Sequence, residues 1–392
     1  MLILECDTMN KPINVVKPMI DDHEIENILE VLKSGMIAEG PQAKLLEKEF
    51  SEYTGVKHSI FVNNGTAALH LAMESLDLEP GSEVITSGFT FIASANSISF
   101  IGAIPVFGEI NEKTWNLDPA TVEKLITPKT KAIMPVHIFG LPANMKEINE
   151  IAEKHDLKVL EDAAQGHGGK IDGKHVGNFS DIACFSFYAT KNMITGEGGM
   201  VVTNDDDLAN KARSIKNHGR AANSAGGYAH YRIGYNFRAP DYSAAIGRAQ
   251  LKKLPAFLEA RKKHAEYYKQ ELQGLPVDWQ EIPDHTEHGN YIFALRLTDP
   301  KYKVAEIVAK LKAKDVIARP IYDVPVYKQP TYLEIKSWRW ARVGINYPDY
   351  SKVSLPVTES VATSHFEIPV HPGLSDEEVT YVAKTVKEVL KN

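Results

Sequence analysis

Two stretches decide the fold of this chain: Lys158-Val-Leu-Glu-Asp162, and Ser186-Phe-Tyr-Ala-Thr-Lys191-Asn192 with the glycine-rich Thr195-Gly-Glu-Gly-Gly-Met200 behind it. Each joins an apolar run of strand length to a polar residue, and the spacing between them leaves room for connecting structure. Lys191, after a hydroxyl-bearing turn, reads as a Schiff-base lysine, and Asp162 as a carboxylate at a strand end. A pyridoxal 5′-phosphate enzyme needs both groups: an amine to condense with the cofactor aldehyde and a charged partner for its pyridine nitrogen.

Outward from this pair, strands and helices alternate. Strands are expected at Ser59 to Asn63, Glu83 to Thr86, Ile104 to Phe107, Ala132 to Val136, Lys158 to Leu160, Ile182 to Ser186 and Met200 to Thr203. Helices are expected at Gly65 to Leu76, Phe91 to Ile101, Pro119 to Ile126, Met145 to His155 and Asp205 to Asn217. That order predicts an α/β fold with a mostly parallel central sheet covered by helices on both faces. Ligands of such folds gather at the carboxyl ends of the strands, where Asn63-Asn-Gly-Thr66, Asp162 and Ser186 all fall.

After Tyr242 a long helical stretch, Ser243 to Leu272, is expected to break at Pro255. A strand (Tyr291 to Leu297), a helix (Val304 to Lys312), a Pro/Tyr-rich segment and a last helix (Asp376 to Lys391) follow. We therefore divide the chain into an N-terminal extension (1–9), a large domain (10–254) and a smaller C-terminal α+β domain (255–392). The N-terminal part up to about Gly55, with the helix Asp21 to Leu32 and the loop Ser34 to Pro41, is expected to pack against the small domain.

With 392 residues the chain can bury a sizeable core. A net charge of −7 and scattered Lys/Arg argue against a nucleic-acid partner. Two cysteines, Cys6 and Cys184, are too few for a disulfide framework, and no apolar run approaches the length of a membrane helix, so a cytoplasmic protein with no membrane partner is expected. His155, His167 and His218 lack ligand spacing, so no metal is expected.

Asn64-Gly65-Thr66-Ala67, between a strand and a helix, offers backbone N–H groups to a phosphate and reads equally as a simple N-cap. Ser186 can donate its hydroxyl to the same phosphate or serve as an ordinary turn serine. Asp162 near a ring nitrogen favours the protonated pyridinium, because an opposite charge stabilises the charged form. Gln165 can reach a phenolic oxygen, and Phe91 can stack on a ring or belong to the core. His137 reads as structural.

In order along the chain, Ser34-Gly-Met-Ile-Ala-Glu-Gly-Pro41, Asn64-Gly-Thr-Ala-Ala-Leu-His70, Phe89-Thr-Phe-Ile-Ala-Ser-Ala-Asn96, Glu161-Asp-Ala-Ala-Gln-Gly-His-Gly168, Ser186 to Asn192, Gly196-Glu-Gly-Gly199, His218-Gly219 and Gly234-Tyr-Asn-Phe-Arg238 resemble the nucleotide-sugar aminotransferases of DegT/StrS type. These are fold-type I pyridoxal-phosphate enzymes, and the resemblance runs from Ile13 onward. It implies transamination of a nucleotide-linked keto-sugar to an amino sugar, with glutamate as donor and Lys191 as the lysine that carries the cofactor and moves the proton. It also implies a homodimer with shared sites, in which Asn236 reaches the partner's cofactor phosphate and Arg238 the substrate, while Tyr322 and Tyr327 line the sugar pocket. The segment Thr195 to Met200 and the Arg319-Pro pair look most like members that aminate C4, although Gln165 stands where those often carry Glu.

Three positions depart from the pattern: Gly88 where proline is common, Gly108-Glu109 where Val-Asp is usual, and Tyr327 where histidine is frequent. Lys191 itself argues against the branch of the family that replaces it by histidine and acts as a dehydratase. An aminotransferase for a non-sugar ketone such as a cyclitol or an aromatic precursor, or a pyridoxal-phosphate-binding regulator without turnover, would use the same framework.

Overall fold

The computed structural model describes residues 12–221 and 228–391, so the expected extension at 1–9 lies outside the described residues. Seven strands form the central sheet: β1 (His58–Val62), β2 (Glu83–Ser87), β3 (Ile104–Gly108), β4 (Thr130–Met134), β5 (Lys158–Asp162), β6 (Ile182–Ser186) and β7 (Gly199–Thr203). Their spatial order is β1-β7-β6-β5-β4-β2-β3, and all run in one direction except β7, which is antiparallel to both its neighbours. The expected mostly parallel sheet is thus present, and because β1 runs with β5 and β6, their carboxyl ends share one rim.

Alternation along the strands sends successive side chains to opposite faces. Ile60, Val62, Ile182 and Cys184 pack beneath the helices Gly65–Ser75 and Asp206–Lys216. Phe61, Ala183 and Phe185 point the other way, against Leu46 and Phe50 of the helix Pro41–Thr54 and Leu254 of the helix Asp241–Leu272. Both faces are covered, as a parallel sheet requires.

The long helix does not break at Pro255; it runs unbroken from Asp241 to Leu272. A proline inside a helix removes one backbone hydrogen bond and costs about 3 kcal/mol. Burial on both sides offsets that cost: Leu251 and Leu254 lie in the core against the sheet, and Ala265, Tyr268 and Leu272 lie in the C-terminal core. The expected division at Pro255 therefore falls within a rigid element.

The C-terminal core surrounds a three-stranded antiparallel sheet of Val277–Asp278, Phe293–Leu297 and His365–Ile368, backed by the helices Val304–Lys312 and Asp376–Lys391. Two connections cross the expected boundary. Ile13, bridged to Val316, is buried in this C-terminal core. In the other direction Tyr327, Tyr332 and Tyr350 pack with Phe107 of β3 at the edge of the large sheet. Phe107, Tyr332 and Tyr350 meet edge-on at 5.4–5.6 Å, each pair contributing about 1 kcal/mol beyond its buried area. The N-terminal helix, Asp22–Ser34, also differs from expectation: it docks on the sheet-side half of the long helix, with Gln250 donating to Met19 O and Glu24 Oε1 at 2.7 Å.

Asp241 ties the loop before Pro41 to this helix. Its buried carboxylate accepts from Gly40 N (2.9 Å), Ala43 N (2.8 Å) and Gln42 N (3.1 Å), so it caps the helix Pro41–Thr54 from a distant part of the chain. Gly40 has no side chain to obstruct it, since a Cβ there would sit 2.9 Å from Asp241 Oδ2. Replacing Asp241 by Ala strands three N–H groups, and we expect a loss of about 2–3 kcal/mol in urea-induced unfolding.

Candidate active site

The rim of carboxyl ends opens into a cavity of about 900 Å³. Asn64, Gly65, Thr66, Phe91, Asp162, Gln165, Ser186, Lys191 and Tyr322, separated widely in sequence, all line it. Tyr327, Asn236 and Arg238 do not.

At one end, Asn64 caps the helix Gly65–Ser75 by accepting from Ala67 N at 2.8 Å. The N–H groups of Gly65 and Thr66 then have no acceptor within the helix, and the helix dipole adds positive potential where an anion could rest. So the N-cap and the anion site are compatible readings of one motif. Close approach here is set by glycine: a Cβ on Gly65 would lie 2.7 Å from Ser186 Cβ, and one on Gly199 would lie 2.5 Å from Asn64 O. Gly199 pairs with both Val62 and Ser186, which brings the ends of β1 and β6 together. The result is a cradle of two backbone N–H groups and one hydroxyl, suited to a phosphate.

At the other end stands Asp162, 3% exposed. Ser94 Oγ donates to Oδ2 at 2.6 Å and Ala164 N to Oδ1 at 3.1 Å. Burial pushes its carboxyl above the ordinary range despite these two bonds and the nearby charge of Lys191. A cationic N–H donor in the cavity would supply the missing compensation, as a pyridinium does. Beside it Glu161 points to the opposite face: burial alone would raise its carboxyl, but His137 at 2.9 Å, Gly177 N and Ser180 outweigh this and hold it below the ordinary value. His137 also accepts from Ala143 N, which makes it the structural residue expected from the sequence.

Gln165 Oε1 accepts from Phe139 N at 2.8 Å, and its Nε2 donates to the Tyr322 hydroxyl at 3.1 Å. Tyr322 stacks on Phe139 at 6.0 Å and adopts a left-handed φ of 55°, a backbone strain found often at functional positions. Phe91 is 54% exposed on the cavity wall, so it is not a core residue. Lys191 extends into the cavity with Nζ 4.2 Å from the centre of the Tyr291 ring.

Tyr327 corrects the expectation of a pocket residue. It is fully buried, and its hydroxyl donates to Glu359 at 2.8 Å. The reason lies in Gly88: a Cβ there would fall 3.0 Å from Tyr327 Cε1 and 2.9 Å from Leu355 Cδ1. Two departures from the family pattern are thus one packing solution. Glu109, the third, accepts from Val357 N, Thr358 N and Thr358 Oγ1 at the start of the same helix, Pro356–Ser364. Asn236 pairs with Asn217 in an isolated bridge, and Arg238 Nη1 donates to Asn217 Oδ1 at 2.6 Å; both lie outside this chain's own cavity.

Sequence reading missed Ser94, Tyr291 and Arg319 as wall residues. Ser94 sits within a motif already quoted, and its hydroxyl three residues after Phe91 was an available signal. Tyr291 and Arg319 come from the C-terminal half, and only the tertiary fold brings them in. Arg319 Nε is bound by the buried Glu367.

These features agree with the comparisons. The DegT/DnrJ/EryC1/StrS aminotransferase family matches residues 18–387. The chain belongs to that family. It is 37% identical to the GDP-perosamine synthase of Caulobacter vibrioides over 382 residues, covering 96% of this chain and 98% of that one. It is 34% identical to the UDP-N-acetyl-3-dehydro-α-D-glucosamine 3-aminotransferase of Acidithiobacillus ferrooxidans over 387 residues, 96% and 99% of the two chains. Among solved structures, the Helicobacter pylori aminotransferase PseC, involved in the biosynthesis of pseudoaminic acid, superposes with a TM-score of 0.89 at 27% identity, over 97% of this chain and 100% of that chain. Family membership makes this an aminotransferase that depends on pyridoxal phosphate, and the phosphate cradle and the uncompensated Asp162 fit that cofactor. Gly65→Ala pushes Ser186 out of the cradle, so we expect at least about tenfold weaker cofactor binding in a fluorescence titration, the equivalent of one lost charge-assisted hydrogen bond.

Proposed function

We propose that this protein transfers the amino group of glutamate to a nucleotide-linked keto-sugar, with the keto group at C4. The observation that carries the reading is full-length similarity to relatives named for nucleotide-sugar chemistry, with Lys191, Asp162, Gln165 and Ser186 gathered in one cavity. The Thr195 to Met200 segment and the Arg319-Pro pair support C4 over C3. The cavity volume leaves room for a sugar beyond the cofactor.

In this reading Gly65 N, Thr66 N and Ser186 Oγ hold the cofactor phosphate, and Asp162 accepts from the ring nitrogen. Gln165 would meet the ring's phenolic oxygen and Phe91 would stack on the ring. Pyridoxal phosphate, when bound, supplies an aldehyde for the amino group and an electron-accepting ring for the charge left on the α-carbon. Lys191 Nζ would hold the cofactor and would serve as the base that takes the proton from the donor's α-carbon. Asp162 would meet the ring nitrogen and, as a preorganised charge, would favour its protonated form. The same lysine then works in the reverse sense on the keto-sugar, so one residue serves both halves.

We also propose a homodimer. Ile233 is 92% exposed and Tyr231 69%, beside Asn236 and Arg238, which do not line their own cavity. An apolar, aromatic loop next to two polar residues that lie outside their own cavity supports a surface that completes a neighbouring site.

The test is a pair of half-reactions followed by the absorbance of the bound cofactor. Glutamate should convert the cofactor to its amino form, and GDP-, UDP- or dTDP-linked 4-keto-sugars should restore it. Lys191→Ala should slow both by about a thousandfold or more. Turnover of 3-keto-sugars alone would refute C4, and turnover of cyclitol ketones with no nucleotide sugar would select the non-sugar reading.

A further inference from the structure

Residues 289–291 form a strap across the base of Lys191, tied to the residues on either side of it. Thr190 Oγ1 and the Tyr291 hydroxyl lie 2.9 Å apart. Asn192 Nδ2 donates to Gly289 O at 2.7 Å. From below, Arg261 of the long helix donates Nη1 to Asn290 O at 3.2 Å and to Tyr291 O at 3.1 Å. Arg261 is 6% exposed and makes no ion pair among the described residues, so the two carbonyls are what hold this buried guanidinium. Burial pulls it down to about 10, still cationic at neutral pH. Gly289 N donates back to Gly140 O, and a Cβ on Gly140 would sit 3.1 Å from Tyr291 N. Every end of the strap is fixed, and the Tyr291 ring it carries faces Lys191 Nζ at 4.2 Å.

We propose that Tyr291 is a positioning residue for Lys191, with its aromatic face, not its hydroxyl, as the working part. The ring attracts the amine whenever it carries a proton, and it closes one side of the arc through which a four-carbon side chain could swing. A lysine that must first hold a cofactor and then shuttle a proton needs such a rest position, because once released it has no covalent anchor. The hydroxyl bond to Thr190 sets the ring's angle, and the Arg261 clamp sets its height. The proposal rests on the reading of Lys191 as the proton-moving amine given above.

Two measurements on the full-length protein separate the proposal from that reading. The first needs no substrate: before cofactor loading, the rate at which an acylating reagent modifies Lys191 is followed by peptide mass spectrometry. Tyr291→Met keeps bulk but removes the ring, and we expect about tenfold faster labelling, whereas Tyr291→Phe stays within about threefold of the parent. The second is the single-turnover reaction of loaded protein with α-deuterated glutamate. Tyr291→Met should slow the step about tenfold and enlarge the deuterium isotope effect with little change in the glutamate concentration at half-saturation, and Tyr291→Phe should restore the parent values. Circular dichroism reports whether each variant folds, and Tyr291→Leu, a second variant without the ring, should give the same faster labelling should Tyr291→Met not fold. Unchanged labelling, or equal effects of Met and Phe, would overturn the proposal whatever the substrates are; so would an unchanged isotope effect in an active Tyr291→Met. Faster labelling in a protein that turns over no amino donor would instead overturn the functional reading.

Discussion

A carboxylate held out of water at the end of a parallel strand is the constraint around which this molecule is arranged. Burying an ionised carboxylate costs several kcal/mol unless it is hydrogen-bonded and met by a positive charge. Asp162 has the hydrogen bonds, from Ser94 and Ala164, and the charges of Lys191 and His137 nearby, yet burial still holds its carboxyl above the ordinary range. The fold thus stores an electrostatic demand that a protonated pyridine ring satisfies. Cys184, directly across the strand pair, feels the same field: burial and Asp162 together raise its thiol well above the usual range, so it is an inert core residue.

The rest of the site follows from how that strand is placed. Glu161, pointing to the opposite face, holds His137 and the 177–180 turn, so β5 is pinned on one side while Asp162 serves the other. β7, antiparallel to its neighbours in the central sheet, draws β1 and β6 together through Gly199, and the phosphate cradle forms where they meet. Ring end and phosphate end are therefore both fixed by sheet geometry, which is stiffer than loop geometry. The C-terminal half closes the cavity through Tyr291, Arg319 and Tyr322, and its connection to the sheet is a continuous helix.

Much of this was legible in the sequence, for a physical reason. Strand ends are where apolar runs stop, and Asp162, Ser186 and Asn64 announce themselves there as polar residues terminating such runs. Long-range packing left weaker marks. Pro255 read as a helix break because its local cost is visible and the burial that offsets it is not. Tyr327 read as a pocket residue because its place along the chain is that of one, while the space that buries it is created by Gly88, far away in sequence. Ile13 and the 326–350 stretch cross the expected domain boundary for the same reason: what they pack against is remote from them in the chain.

We propose that one lysine, opposite one buried carboxylate, carries the cofactor. Borohydride reduction of the pyridoxal-phosphate-loaded protein, followed by peptide mapping of the phosphopyridoxyl group, tests it most directly. A single modified residue, Lys191, is expected. Label on any other lysine, or a loaded protein that takes up no label, would contradict it.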